Sequence, residues 1–176
     1  MENVPTVKFD TGEVVFKEDD ASNSVYLIIS GKVEIYKTMR YKKTVLAVQG
    51  PNTIFGEMAL VDGKARSATV AALEPTFCYR CSAVGILSEM RKVDRDVYKA
   101  MQNCAAIIRE HNDQKLTNNT SRTDINMDEI IPDEDVKEPY MKKEDIEGNA
   151  ELMAKVEKLT PFIKSMFRML MKIAYE

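Results

Sequence analysis

The sequence predicts an α+β chain in which a jelly-roll-like, double-stranded antiparallel β-roll is followed by flanking C-terminal helices. Three observations carry that expectation. From Val4 to about Arg80, short bursts of Val, Ile, Tyr, Phe and Thr are separated by Gly, Asp, Asn or Pro, the pattern of closely spaced strands. After Ser82 the apolar spacing changes to the three-and-four rhythm of helices. A length of 176 residues, 44% apolar and 30% charged, suits one packed domain with an appendage and leaves little room for two. The expected organisation is a domain over 1–116 (roll about 4–81, helices about 82–91 and 94–116), an acidic linker over 117–149, and amphipathic helices over 150–176.

Taken in order, VYLIISG (25–31) and KVEIYK (32–37) read as two strands meeting at Gly31. TVLAVQGPN (44–52) and SATVAALEP (67–75) are two more, each closed by a turn signal. Ser82 fits the N-cap of a short helix, and Asp94 that of a longer one reaching about Lys115. On the longer helix Val97, Met101, Cys104, Ile108, His111 and Lys115 alternate spacings of three and four. Such a stripe either packs on the chain's own roll or forms a homodimer seam between two copies of the 94–115 helix. The stretch from Thr117 to Asn149 carries ten acidic and four basic residues, two prolines and few large apolar groups, which reads as a partly disordered linker.

Thr160-Pro161 fits an N-cap followed by a first helical position, so two helices are expected, over 150–159 and 161–175. In the second, Phe162, Ile163, Met166, Phe167, Leu170, Ile173 and Ala174 share one face, with Lys164, Arg168 and Lys172 opposite. That face suits a protein partner, a membrane surface or the chain's own interior.

Composition narrows the function classes. A net charge of −3 and a pI near 5.4 give no global attraction to nucleic acid or to an anionic membrane. Three cysteines do not make a disulfide framework, and MENVPTVKFDTGEVV lacks the basic and apolar regions of a secretory signal, so the expected compartment is the reducing cytoplasm. No run approaches 18 consecutive apolar residues.

Catalytic and metal constellations also fail. Cys78 and Cys81 form a C-x-x-C on a strand, where an i, i+3 pair points to opposite faces, and no second ligand pair follows. His111 is the only histidine, which leaves no Ser/His/Asp or Cys/His set. The Asp19, Asp20, Asn23 turn lacks the Gly and distal Glu of an EF-hand loop. Neither an enzyme, a cofactor nor a bound metal is expected. Nucleic-acid binding is not expected either, because the residues after the long helix show neither a helix-turn-helix pattern nor a basic recognition helix.

One stretch does carry binding chemistry. TIFGEMALVDGKARSATV (53–70) places Glu57 and Arg66 in an otherwise apolar and small-residue segment. A guanidinium in a partly desolvated pocket needs an oxyanion for its fork of donors, and a phosphate fits. Phe55-Gly56-Glu57-Met58-Ala59 reads as a tight turn opening into a helical turn, whose free N–H groups also favour an anion. Ser67 adds a hydroxyl, and Ala68 leaves room for its own N–H to approach. Glu57, an acceptor, suits a sugar hydroxyl rather than a phosphate. The ligand implied has one phosphate and a neighbouring ribose hydroxyl.

FGEMALVDGKARSATV resembles, almost position for position, the phosphate-binding cassette of the cyclic nucleotide-binding domain, and the resemblance extends over about residues 5–115. It implies a β-roll flanked by helices. Within that family the Glu holds the ribose 2′-hydroxyl and the Arg, with the small residues after it, binds the cyclic phosphate. Those roles fall here on Glu57, Arg66, Ser67 and Ala68, with Phe55, Gly56, Met58 and Ala59 forming the close backbone.

In the bacterial transcription-factor branch, side chains on the long helix reach the adenine amino group. The same count from Arg66 falls on His111 and Asn112, which either contact the base or face solvent near a helix end. Ser67 after the Arg resembles members that bind cyclic AMP, whereas Thr there goes with cyclic GMP in eukaryotic kinases, so cyclic AMP is expected before cyclic GMP. The resemblance implies a regulatory protein whose ligand acts through the C-terminal helices. A ligand-free scaffold, or the regulatory subunit of a separate enzyme or channel, is the alternative.

Overall fold

The computed structural model of the protein describes residues 4–120 and 141–175. Eight strands appear among them: β1 Thr6–Phe9, β2 Val14–Phe16, β3 Ser24–Ser30, β4 Val33–Met39, β5 Lys42–Gln49, β6 Ile54–Phe55, β7 Thr69–Ala72 and β8 Thr76–Ser82. They pair antiparallel in two four-stranded sheets, ordered β1-β8-β3-β6 and β2-β7-β4-β5. A short helix, α1 (Met58–Val61), bridges β6 and β7. The expected α+β architecture, an antiparallel two-sheet roll with flanking helices, is the observed one.

The turn between β3 and β4 shows why Gly31 stands where it does. Its φ of +87° lies in the left-handed region, and an added Cβ would sit 2.5 Å from Thr76 Oγ1 and 2.6 Å from the Pro75 carbonyl oxygen. Thr76, fully buried, accepts there from the Lys32 N–H at 3.1 Å. Inside the roll, alternate residues of the two sheets meet. Tyr26, Ile28, Val33, Phe55, Val70 and Cys78 form the inner core, and the rings of Tyr26 and Phe55 stack at 5.1 Å between centroids.

A second and larger core lies outside the roll. Val25 and Ile54, the outward neighbours of Tyr26 and Phe55, pack with α2 (Ala83–Met90), α3 (Arg95–Thr120), α4 (Lys143–Glu147), α5 (Ala150–Glu157) and α6 (Pro161–Tyr175). Asp94 caps α3, its Oδ1 accepting from the Asp96 N–H at 2.9 Å. Asn149 caps α5 by accepting from the Leu152 N–H at 3.0 Å, so Asn149→Ala is expected to lower stability by about 1 kcal/mol in a denaturant titration.

Two helical features differ from expectation. The long helix runs past the expected 116 to Thr120, the last residue described before 121–140. A helix also forms over Lys143–Glu147, inside the stretch read as linker, of which residues 121–140 lie outside the described residues. The reason is local. Ile146 is fully buried against the helices, and the Asp145 carboxylate closes the first turn by accepting from the Lys142 N–H at 3.2 Å. One buried isoleucine outweighs an acidic average taken over 33 residues.

The stripe on α3 is a third point. Val97, Met101 and Cys104 are fully buried and Ile108 nearly so, in a cluster shared with α5 and α6 of the same chain. The apolar half of the stripe thus packs within this chain, against α5 and α6, as the first of the two readings expected. Met166, Phe167, Leu170 and Met171 of α6 are buried in that cluster, and Cys104 Sγ lies 3.4 Å from Met171 Sδ. Asn103 on α3 donates to Tyr175 Oη at 2.9 Å and accepts from the Met141 N–H at 3.0 Å, while Tyr175 donates to the Met141 carbonyl at 2.6 Å. Lys155 of α5 pairs with Asp96 at 3.0 Å and Asp94 at 3.3 Å. No helix among the described residues is long and apolar enough to cross a membrane.

Candidate functional site

The cassette occupies the turn from β6 through α1 to β7. Gly56 makes the turn possible: its φ is +80°, and a Cβ would meet Arg66 Nη1 at 2.7 Å and the Phe16 ring at 3.2 Å. Arg66 folds back across this gap. Its Nη1 donates to the Gly56 carbonyl at 2.6 Å, its Nη2 to the Ser24 carbonyl at 2.7 Å, and its guanidinium carbon stands 3.9 Å from the centroid of the Phe16 ring. The acidic turn after β2 holds the same residue by its backbone. Arg66 N–H donates to the Asp20 carbonyl and Asp19 N–H to the Arg66 carbonyl, both at 3.0 Å.

Arg66 is 3% exposed, and its Nε is buried without a hydrogen-bond partner. Burial lowers its pKa from the ordinary value, with Tyr26, Glu57 and Asp20 pulling the other way. A fixed guanidinium whose Nε–H is unspent is chemically an anion receptor. Glu57 closes the turn from the opposite side at 5% exposure. Burial pushes its carboxyl up to about 7; its own backbone N–H and Arg66 oppose the rise, and Asp62 adds to it.

All eight cassette residues singled out from the sequence, Phe55, Gly56, Glu57, Met58, Ala59, Arg66, Ser67 and Ala68, line one cavity. Ser67 Oγ lies 3.7 Å from Met58 Sδ, and Ala68 is buried. The two α3 candidates separate. Asn112 lines the cavity, whereas His111, about 100° round the helix, is exposed and borders an adjoining groove with Lys115 and Tyr175.

Further lining residues were not singled out from the sequence. The strands supply Phe16, Ile35, Leu46, Ala47, Gln49 and Val70, α3 supplies Ile108 and Lys115, and α6 supplies Ile173. A bulge between Ile35 and Tyr36 leaves Leu46 unpaired beside Ala47, which brings two adjacent β5 residues to one wall. Strict alternation along TVLAVQ would have found one of them. Ile173 was beyond sequence reach, because its place depends on α6 folding back across the chain.

Two side chains of α3 hydrogen-bond to the cassette turn. Arg109 Nε donates to Asp62 Oδ2 at 2.5 Å, and its Nη2 to the Ala65 carbonyl at 3.0 Å. The Tyr98 hydroxyl donates to the Val61 carbonyl at 2.9 Å. The segment between Val61 and Arg66 is thus tied to α3 by hydrogen bonds at Val61, Asp62 and Ala65.

Comparison with known proteins agrees with this geometry. Residues 6–92 match the family model described as cyclic nucleotide-binding domain, and this part of the chain belongs to that family. The cyclic AMP receptor protein of Thermus thermophilus is 38% identical over 69 residues, a match covering 39% of this chain and 32% of that protein. The cAMP-dependent protein kinase regulatory subunit of Emericella nidulans is 37% identical over 67 residues, covering 38% of this chain and 16% of that protein. The chain therefore spans a third or less of the length of these relatives. Among solved structures, the cAMP-bound form of the EAL enzyme Bd1971 superposes with a TM-score of 0.60 at 30% identity, covering 67% of this chain and 32% of that one. Its cGMP-bound form gives 0.58 at 32% identity, covering 60% and 28%.

Proposed function

We propose that the chain is a non-enzymatic cytoplasmic sensor that binds a 3′,5′-cyclic nucleotide, cyclic AMP before cyclic GMP, and passes occupancy to its C-terminal helices. The observation that carries this reading is Arg66: a buried guanidinium, fixed by two carbonyls and Phe16, with Nε unpartnered beside Ser67 and Ala68. The cyclic phosphate takes the guanidinium and the backbone after it, Glu57 takes the ribose hydroxyl, and the base lies toward Asn112 on α3.

The output route is supported by three contacts. Arg109 and Tyr98 hold the cassette turn, and Ile173 brings α6 to the cavity wall. Closure of the cassette on a phosphate would be felt at α3, and the shift is limited by the ligand's differential affinity for the two arrangements. Among the described C-terminal residues, α6 turns its apolar face inward, which supports a role in signal transfer rather than in DNA recognition.

A thermal-shift series with cyclic AMP, cyclic GMP and cyclic dinucleotides tests the reading. Cyclic AMP at about 100 times its Kd is expected to add about 2.7 kcal/mol of stability. Absence of a shift with every nucleotide favours the ligand-free scaffold instead.

A further inference from the structure

We infer that Gln49, at the end of β5, is a specificity-determining residue whose side-chain oxygen accepts a hydrogen bond from the exocyclic amine of the bound base. The inference rests on the cyclic nucleotide reading above and names a contact which that reading does not contain.

The position departs from ordinary strand chemistry. Along β5, Val45 and Val48 are 49% and 55% exposed, whereas Gln49 is half-buried, the reverse of the polarity expected of a sheet with one covered face. Its cross-strand partner is Val33, fully buried in the roll core, so the amide lies beside apolar surface. Gln49 Oε1 is buried and has no hydrogen-bond donor within reach. It is also the one polar side chain that the described strands contribute to the cavity wall, among Phe16, Ile35, Leu46, Ala47 and Val70.

An unsatisfied buried acceptor is costly, and an apolar residue of the same size would fit this wall without that cost. A donor brought in by the ligand removes it. Arg66 and Ser67 are suited to the phosphate, and phosphate oxygens carry no donor when ionised, so the partner belongs to the rest of the nucleotide. One group of a cyclic purine nucleotide has the required chemistry and is still free to donate, the exocyclic amine of the base, because the single ribose hydroxyl gives its one proton to Glu57. A base bearing the amine would be discriminated from an analogue lacking it, because the acceptor would again be left buried and unpaired.

The test compares wild type with Gln49→Leu and Gln49→Met by titration calorimetry against three ligands: cyclic AMP, its 2′-deoxy analogue, and purine riboside 3′,5′-cyclic monophosphate, which lacks the amine. Both variants are expected to melt no lower than wild type without ligand, since an unpaired acceptor has been removed. Both should bind cyclic AMP about tenfold more weakly. The decrement should fall below about twofold for the purine riboside analogue, which lacks the amine, and stay near tenfold for the 2′-deoxy analogue. An unchanged affinity for cyclic AMP, or an equal decrement with both analogues, overturns the assignment while leaving the sensor reading intact. Failure of wild type to bind any cyclic nucleotide overturns both.

Discussion

Arg66→Ala is expected to weaken cyclic AMP binding by about 30- to several-thousand-fold, the consequence of losing a buried charged contact of about 2 to 5 kcal/mol. The size follows from how the side chain is held. At 3% exposure, pinned by the Gly56 and Ser24 carbonyls and stacked on Phe16, the guanidinium has no reorganisation left to undergo when a phosphate arrives. The same contacts brace the cassette turn, so alanine also leaves two carbonyls without their donor and lowers stability in the absence of ligand. Arg66→Lys separates the two effects. It keeps a cation but loses the planar fork, and should bind more weakly than wild type and more tightly than alanine. Calorimetric titration of a folded Arg66→Ala variant with wild-type affinity would contradict the site.

Glu57→Gln is expected to stabilise the ligand-free protein by about 3 kcal/mol at pH 8 and by nearly nothing at pH 4.5. Burial pushes the Glu57 carboxyl up to about 7 from an ordinary 4.5. Between those two values the folded chain holds a proton that the unfolded chain has released, so stability falls as pH rises through this window. Above about pH 7 the penalty is complete, because the carboxylate is then ionised in both states and is desolvated only in the folded one. Glutamine does not titrate and escapes the loss. Urea titrations of both proteins from pH 4.5 to pH 8 measure the difference, and a gap that does not widen with pH would refute the account. The same variant keeps an acceptor at the ribose position, so its affinity for cyclic AMP should suffer far less than that of Arg66→Ala.

Much of this was legible in the sequence, for physical reasons that differ by element. Gly31 announces a strand turn because only a residue without Cβ fits against Thr76 and Pro75. The cassette reads clearly because Gly56, Glu57, Arg66, Ser67 and Ala68 lie within one short segment, whereas the distant Phe16, Asp20 and Ser24 that hold Arg66 left no such mark. The N-cap Asp94 and the Thr160-Pro161 junction mark helix starts by side-chain chemistry alone.

What escaped the sequence depends on packing at long range. The stripe on α3 has a partner, and no periodicity tells whether that partner is a second copy or α6 of the same chain. α4 was hidden because its one buried residue, Ile146, stands in an acidic stretch whose average looks unstructured. Gln49 and Ile173 reach the cavity through a strand whose exposed and covered faces are inverted and through a helix that folds back, and neither leaves a mark on the pattern of residues nearby.

The strands β3 and β6 separate two cores, with Tyr26 and Phe55 facing the roll interior and Val25 and Ile54 facing the helices. This shared wall makes the two halves mutually dependent for folding. Stripping the helices from it would bare Val25 and Ile54 to water, and opening the roll would remove the support on which the helices rest. The chain should therefore lose its structure in one cooperative transition seen alike by ring absorbance in the roll and by helical signal, rather than in two steps.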